Sequence, residues 1–202
     1  MTNMDIARQY IGKRGYADNP QYRDAMIKIR LEAVSEEDMR FLRELYPNSK
    51  DIFTRNQILA AFVLQCLRYD LKDFFLAAFK KERYLDMRLT AIRGFAAYAE
   101  EKEVVPLMKK FTEILAARPA DTPYNYQEYE MLRSEFGLPY LVEKYGYDCF
   151  KDAAARLEKQ YGDMPDAFKG IFTLDKNGMH VQLISQKESK KRLDDFFRGQ
   201  GR

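Results

Sequence analysis

The chain has 202 residues, of which 46% are hydrophobic and 32% are charged, and its formal net charge is +3. This balance is typical of a folded globular protein and excludes a disordered chain. The net charge is too small to indicate nucleic acid as a partner by itself. The two cysteines, Cys66 and Cys149, lie far apart in the sequence, which argues against a disulfide framework and favours a reducing compartment.

The N-terminal sequence, MTNMDIARQYIGKR, is polar and lacks the apolar core of a secretory signal. The longest apolar run, over residues 58–64, is far too short to span a bilayer. We therefore expect a cytoplasmic protein that has no membrane partner.

Three helices are predicted in the N-terminal quarter, over residues 3–13, 20–34 and 35–47, the first capped by Asn3 and the third ended by a proline. Pro20 is expected in a first helical turn, where its missing N–H would have no partner in any case. Ser35 with an aspartate three residues later resembles a capping box. The second and third of these helices form the earliest and weakest of the predicted helix pairs.

The next predicted helix is apolar on almost every side. Residues 58–67 read ILAAFVLQCL, and such a helix is normally sandwiched between layers of a protein. Its predicted partner helix covers residues 70–82, with Leu71, Phe74 and Phe75 facing inward.

A pair of helices over residues 86–115 has the clearest pattern in the chain. Ile92 and Phe95 lead one apolar face, and Gly94 with several alanines keeps that helix thin enough for close approach of a neighbour. Pro106 is expected in the first turn of the second helix, which carries a stripe through Met108. Two short helices cannot bury both stripes, so the pair needs neighbouring elements.

The same layout occurs 33 residues earlier, because Arg55 aligns with Arg88, Ala61 with Gly94 and Phe62 with Phe95. This offset lies within the range of helical-repeat periods. The chain therefore contains either successive repeats or an ordinary helical bundle with two similar hairpins.

The best-matching unit carries the pattern Asp-x-Arg-x-x-Ala-Ile-x-Gly over residues 86–94, followed by Val-Pro-Leu over residues 105–107. This pattern resembles the HEAT repeat of the HEAT/armadillo class. In that family the Asp and Arg tie adjacent repeats together and the small residues seat the helix crossing. The earlier unit departs from the pattern, because Asp51 lies four residues before Arg55 and Asp73 replaces the proline.

The resemblance implies an all-α fold, a right-handed α-solenoid of HEAT-like helical hairpins, which would act as an interaction scaffold. We expect this array to cover residues 1–164, with further helices over residues 126–136, 138–146 and 148–161. Residues 165–202 are expected to form a C-terminal extension packed on the array.

The extension begins with a pattern typical of strands. Met179, Val181 and Leu183 alternate with polar residues, and Asn177-Gly178 suits a tight turn, so residues 171–184 are predicted to form a β-hairpin. The alternative makes Gly178 the C-cap of a helix that is followed by more helix. A closing helix is predicted over residues 185–198.

The sequence offers little for catalysis. His180 is the single histidine, and no serine-hydrolase turn, zinc ligand cluster, phosphate-binding loop or dinucleotide fingerprint accompanies it. We therefore predict no catalytic residues, no metal site, no cofactor and no enzyme activity.

Two groups of residues are candidates for binding a partner. Tyr124 and Tyr126 follow a proline-marked loop, where tyrosines suit an interface, although they could equally pack between helices. Lys80 and Lys81 end one predicted second helix, and Lys109 and Lys110 lie on the next. In HEAT-like stacks the second helices line the concave face, so these lysines could form a basic trough. The alternative for them is helix-dipole complementation and solvation.

We therefore predict a non-enzymatic scaffold or adaptor that binds a partner protein through its concave face, for example a toxin-neutralising immunity-type protein. The alternative is a nucleic-acid-binding HEAT-like protein similar to DNA glycosylases. The chain contains no tryptophan and carries a modest charge, which weakens that alternative, so nucleic acid is not expected as a partner.

Overall fold

A computed structural model describes residues 1–118 and 126–199 of the chain. These residues are mostly helical, with one small two-stranded sheet, which confirms the all-α prediction and the C-terminal hairpin. The helices are α1 (Asn3–Tyr10), α2 (Pro20–Ile29), α3 (Glu36–Asn48), α4 (Ile52–Gln65), α5 (Lys72–Lys81), α6 (Leu85–Ala96), α7 (Glu101–Ala116), α8 (Tyr126–Arg133), α9 (Leu138–Tyr145), α10 (Asp148–Asp163) and α11 (Gln186–Gly199). The strands are β1 (Phe172–Leu174) and β2 (His180–Gln182).

Local side-chain chemistry sets where the first helices begin. The Asn19 side chain accepts hydrogen bonds from the backbone N–H groups of the first turn of α2, and Pro20 occupies the first position of that helix. The Ser35 hydroxyl accepts from the backbone N–H of Asp38 at 3.1 Å, as the capping-box pattern predicts. Both predicted starts are confirmed.

The prediction for α1 was wrong at both ends. Thr2, not Asn3, is the N-cap, because its hydroxyl accepts from the backbone N–H of Asp5 while its own N–H donates to the Asp5 carboxylate. The helix ends at Tyr10 instead of reaching residue 13, since Gly12 takes a left-handed conformation at a φ of 89°.

Two prolines that were expected at helix boundaries lie inside helices. Pro47 is inside α3, which ends at Asn48, so its missing N–H affects only the final turn. Pro106 lies inside α7, which starts at Glu101, and was expected in the first turn. The helix starts earlier than predicted because the backbone N–H of Glu100 donates to the Glu103 carboxylate at 3.1 Å, which stabilises a first turn ahead of the proline.

The chain divides into two compact units. Unit 1 consists of Met1–Lys81 and Thr90–Ala99, and unit 2 consists of Glu82–Leu89 and Glu100–Arg202. The division falls within α6, which contributes its first residues to unit 2 and the remainder to unit 1. A repeat array over residues 1–164 with an extension over residues 165–202 remains a prediction.

Unit 1 is built around α4, which is buried on nearly all sides, as its apolar sequence predicts. It contacts α2 and α3. Phe62 of α4 meets Phe74 of α5 with ring centroids 4.8 Å apart, and Tyr46 of α3 meets the same ring at 4.9 Å. Phe95 in the C-terminal half of α6 is also buried. Aromatic burial of this kind contributes a large share of the stability of a small core.

Gly94 seats the second half of α6 against α5. A Cβ atom built on Gly94 would lie 2.2 to 2.4 Å from three ring carbons of Phe75, and that ring is fully buried. No larger residue fits unless the ring moves, so this glycine is required by packing rather than by backbone conformation.

Unit 2 ends in the hairpin and α11. β1 and β2 pair antiparallel, with Thr173 opposite Val181. The Asp175 carboxylate accepts from the backbone N–H groups of Asn177 and Met179 at 2.8 Å each, which closes the turn, and Gly178 has a φ of 70°. The alternative of a helix C-cap at Gly178 was therefore wrong. Phe196 of α11 packs on Phe168 at 4.8 Å.

We predict that Gly94→Ala destabilises the protein by about 1–3 kcal/mol, the usual cost of overpacking a tight core. Replacing Phe75 by leucine in the same chain should recover part of that loss, because the smaller side chain vacates the space that the new methyl needs. Urea unfolding of the single and double variants measures both effects. Purely additive free energies would contradict the contact, because residues that touch are coupled.

Candidate functional site

Two helices of unit 2, α7 and α10, each contain 16 residues and pack side by side. The Gln160 side chain of α10 donates to the Leu115 carbonyl of α7 at 2.9 Å, which joins their C-terminal ends. Near the N-terminal ends, Glu101 lies close enough to Cys149 to act on its thiol electrostatically. The two helices therefore run in the same direction and start and end at matching levels.

Apolar side chains at helical spacing hold this pair together. The buried stripe of α7 starts at Val104 and includes Met108, Phe111 and Leu115. The buried residues of α10 are Phe150, Ala153 and Leu157. Burying a full aliphatic or aromatic side chain contributes about 1.5–3 kcal/mol, so these stripes account for much of the stability of the pair.

A groove of about 1000 Å³ runs between the outer faces of the two helices. Its α7 wall repeats every three or four residues and consists of Val105, Met108, Lys109, Thr112, Glu113 and Ala116. The α10 wall has the same helical spacing and includes Cys149, Asp152, Ala155, Arg156, Lys159 and Asp163. The α7 wall extends over about three helical turns, roughly 16 Å, and the α10 wall over about four turns, roughly 21 Å.

The groove combines exposed apolar surface with charges of both signs. Val105 is 42% exposed, and both Ala116 and Ala155 are exposed as well. Exposed apolar surface beside charged residues is common at sites that bind another molecule.

Three groove cations, Lys109, Arg156 and Lys159, form no ion pair with any other residue that the structure describes. In contrast, Lys110 lies outside the groove and pairs with Glu113 at 3.4 Å. Asp152 and Asp163, nearer the two ends, are likewise without an ion pair among the described residues. The groove therefore presents three cations without ion pairs to described residues, together with the carboxylates of Asp152 and Asp163 nearer its ends and that of Glu113, which is paired with Lys110.

The thiol in the groove is not arranged as a nucleophile. Burial, together with Glu101, raises the pKa of the Cys149 thiol, so it remains protonated and poorly reactive at neutral pH. Within residues 1–118 and 126–199, no group of three or more His, Cys, Asp or Glu side chains is placed to hold a metal ion. The described side chains of the groove offer charges and apolar contacts.

The predicted lysines have different environments. Lys109 lines the groove, and Lys110 on the same helix points to Glu113. In unit 1, Lys81 donates to the Pro47 carbonyl at 2.8 Å, and Lys80 is exposed at the end of α5. Lys81 thus has a structural contact of its own.

Of the two candidate tyrosines, only Tyr126 belongs to the residues that the structure describes. Tyr126 is partly buried, and its ring stacks on Phe168 with centroids 5.9 Å apart. It lines a second groove of unit 2, of about 680 Å³, together with one face of the hairpin and a stripe of α11. His180 belongs to that face and stacks on Phe172 at 4.6 Å. Tyr124 lies outside the described residues.

Sequence reasoning missed the residues of α10 that complete the larger groove. Asp152, Arg156, Lys159 and Asp163 recur at three- and four-residue spacing, which places them on one face of a helix. That signal is present in the sequence, but only the extent of this helix was predicted. Their proximity to α7 depends on tertiary packing and could not be predicted.

A buried acidic cluster lies at the start of α6. The Glu128 carboxylate accepts from the backbone N–H of Leu85 at 3.1 Å and lies 3.4 Å from the Arg118 guanidinium. Burial, and then the neighbouring Glu128, raise the pKa of Asp86 to about 6. Glu128 thus supports a helix N-terminus, and the cluster has a structural role.

This shift predicts how stability depends on pH. The folded protein keeps a proton on Asp86 up to about pH 6, whereas the unfolded chain releases it near the ordinary value of 3.8. The stabilisation is present below pH 4 and is lost as the pH rises to 6. Asp86→Asn should therefore match wild type at pH 4 and exceed it by roughly 1–3 kcal/mol at pH 7. Urea unfolding between these pH values tests it, and a pH-independent difference would contradict it.

Comparisons with known proteins assign neither a family nor a function to this chain. The chain has no significant match among protein-family models, curated proteins or solved structures. Within the described residues, no helix is long and apolar enough to cross a lipid bilayer. The functional argument therefore depends on the residues of the groove.

Proposed function

We propose that this protein is a non-enzymatic binding module that holds a segment of a partner protein in the groove between α7 and α10. The observation that carries this proposal is the combination of exposed apolar walls with unpaired charges along two parallel helices. An amphipathic helix laid in a groove is a recurrent way in which proteins recognise one another.

The proposal also gives a reason for the groove's dimensions. Walls of about three to four turns match the length over which a partner helix presents two or three apolar anchors at i, i+3 or i+4, and i+7. Interface energy usually concentrates in such anchors, while charged residues at the rim set orientation and partner choice.

We further propose that the groove belongs to a HEAT-like right-handed solenoid, with α7 and α10 as the second helices of successive hairpins. The equal lengths and common direction of α7 and α10 support this arrangement, because second helices of neighbouring repeats run parallel. An adaptor or an immunity-type antagonist of another protein would use such a surface in the same way. Tyr126 and the predicted lysines other than Lys109 remain candidate contacts outside this groove.

The proposal predicts a specific photocrosslink. A p-benzoylphenylalanine placed at Ala155, which is exposed in the groove wall, should form a discrete adduct with one protein in cells of the source organism. The same residue at Ala97, an exposed alanine outside the groove, is the matched control and should not form that adduct. The measurement is mass spectrometry of the crosslinked bands.

A groove-filling variant completes the test. Ala116→Trp adds bulk to the exposed wall of α7 and should abolish the Ala155 adduct while changing the melting temperature little. An Ala155 adduct that survives this change, or equal adducts from Ala155 and Ala97, would contradict binding in the groove.

A further inference from the structure

The groove cations Lys109 and Arg156 lie on opposite walls at the same level along the two helices. Glu101 and Cys149 are 48 residues apart, and Leu115 and Gln160 are 45 residues apart, which fixes the register of the parallel helices. In this register Lys109 on α7 lies level with residues 154–157 of α10, and therefore level with Arg156. Lys159 follows one turn later on the same wall.

Like charges placed together without a counterion are unfavourable, because each raises the electrostatic cost of the other. Some surface lysines elsewhere in the protein have ion-pair partners: Lys28 pairs with Asp24 at 2.7 Å, and Lys151 pairs with Asp148 at 3.0 Å. Lys109 and Arg156 have no such partner among the described residues. Glu113, the carboxylate on the same wall as Lys109, is paired instead with Lys110 at 3.4 Å. Among the described residues the groove therefore lacks an anion in an ion pair with either cation.

We infer that the partner segment supplies this anion as an aspartate or glutamate carboxylate, held between Lys109 and Arg156 and flanked on its helix by apolar side chains. This inference rests on the proposed function and specifies the chemistry of the occupant. The carboxylate would form charge-assisted hydrogen bonds, with Arg156 able to bind it through two N–H groups.

The ends of the groove distinguish a protein carboxylate from the phosphates of a nucleic acid. Asp152 and Asp163 lie on the same wall as Arg156, on either side of it along α10. A continuous polyanion following the groove would meet both carboxylates, whereas a protein helix can place neutral or basic residues there. The exposed Val105, Ala116 and Ala155 also favour apolar side chains over a sugar–phosphate backbone.

The test is a selection from a displayed library of amphipathic helical peptides of about 15 residues, with the apolar and central positions randomised. Wild type should enrich peptides with Asp or Glu at the centre. The double variant Lys109→Glu with Arg156→Glu should instead enrich Lys or Arg there, because the charge of the groove centre is reversed. Lys187→Glu with Lys191→Glu makes the same charge change on exposed residues of α11 and should leave the enrichment as in wild type.

A selected acidic peptide provides the quantitative measurement. Calorimetric titration should show its affinity falling about tenfold or more on Lys109→Glu or Arg156→Glu, and recovering when its central carboxylate is replaced by lysine. Both substituted positions are exposed, so thermal melts should remain close to wild type.

The outcomes separate this inference from the function on which it rests. Peptides that bind, and lose binding on Ala116→Trp, but show no acidic preference would overturn the inference and leave the groove as a binding site. Failure to select any groove-dependent peptide would count against both. Binding of duplex or single-stranded DNA at physiological salt, if it disappears in the Lys109→Glu, Arg156→Glu variant, would show that the two cations bind phosphate. That result would overturn the inference.

Discussion

The parallel packing of α7 against α10 is the constraint on which the candidate site depends. Neither helix carries the groove alone, since one wall comes from each. The two helices pack side by side, and each buries an apolar stripe, which includes Phe111 on α7 and Leu157 on α10. The hydrogen bond from Gln160 to the Leu115 carbonyl ties the C-terminal ends. A shift of one helix along the other by a turn would move Arg156 away from Lys109.

Among its described residues, unit 2 contains charged groups with ion-pair partners inside the chain and charged groups without them. At the start of α6, the buried Glu128 carboxylate has a backbone N–H and the Arg118 guanidinium beside it, so a costly buried charge has its compensation within the chain. In the groove, Lys109, Arg156 and Lys159 are left without ion pairs to described residues. The paired Glu128 carboxylate therefore suits a structural role, whereas the groove cations are available to bind another molecule.

Much of the fold could be predicted from the sequence because local patterns determine it. The caps at Asn19 and Ser35, the all-round burial of α4 and the hairpin turn at Gly178 each depend on residues within a few positions of one another. The errors at α1 and Pro106 have the same local origin, because a competing capping interaction at Thr2 or Glu100 moved the helix start.

The candidate site was less predictable. Lys109 was identified from a resemblance and from its helix, but Arg156 lies far along the chain, and its closeness to Lys109 follows from the register of α7 and α10. Lys81 stays a candidate interface residue, and packing adds a hydrogen bond from its amine to the Pro47 carbonyl that the sequence does not predict. Sequence pattern indicates which face of a helix is polar, while packing decides which polar faces meet.

Methyl NMR of the protein mixed with the partner recovered through Ala155 tests the central claim most directly. With 13C-labelled alanine methyl groups, the resonances of Ala116 and Ala155, which lie on opposite walls of the groove, should both shift as partner is added. Ala97, exposed outside the groove, should not. If Ala97 shifts while both groove alanines stay fixed, the partner binds elsewhere and the groove between α7 and α10 is not the site.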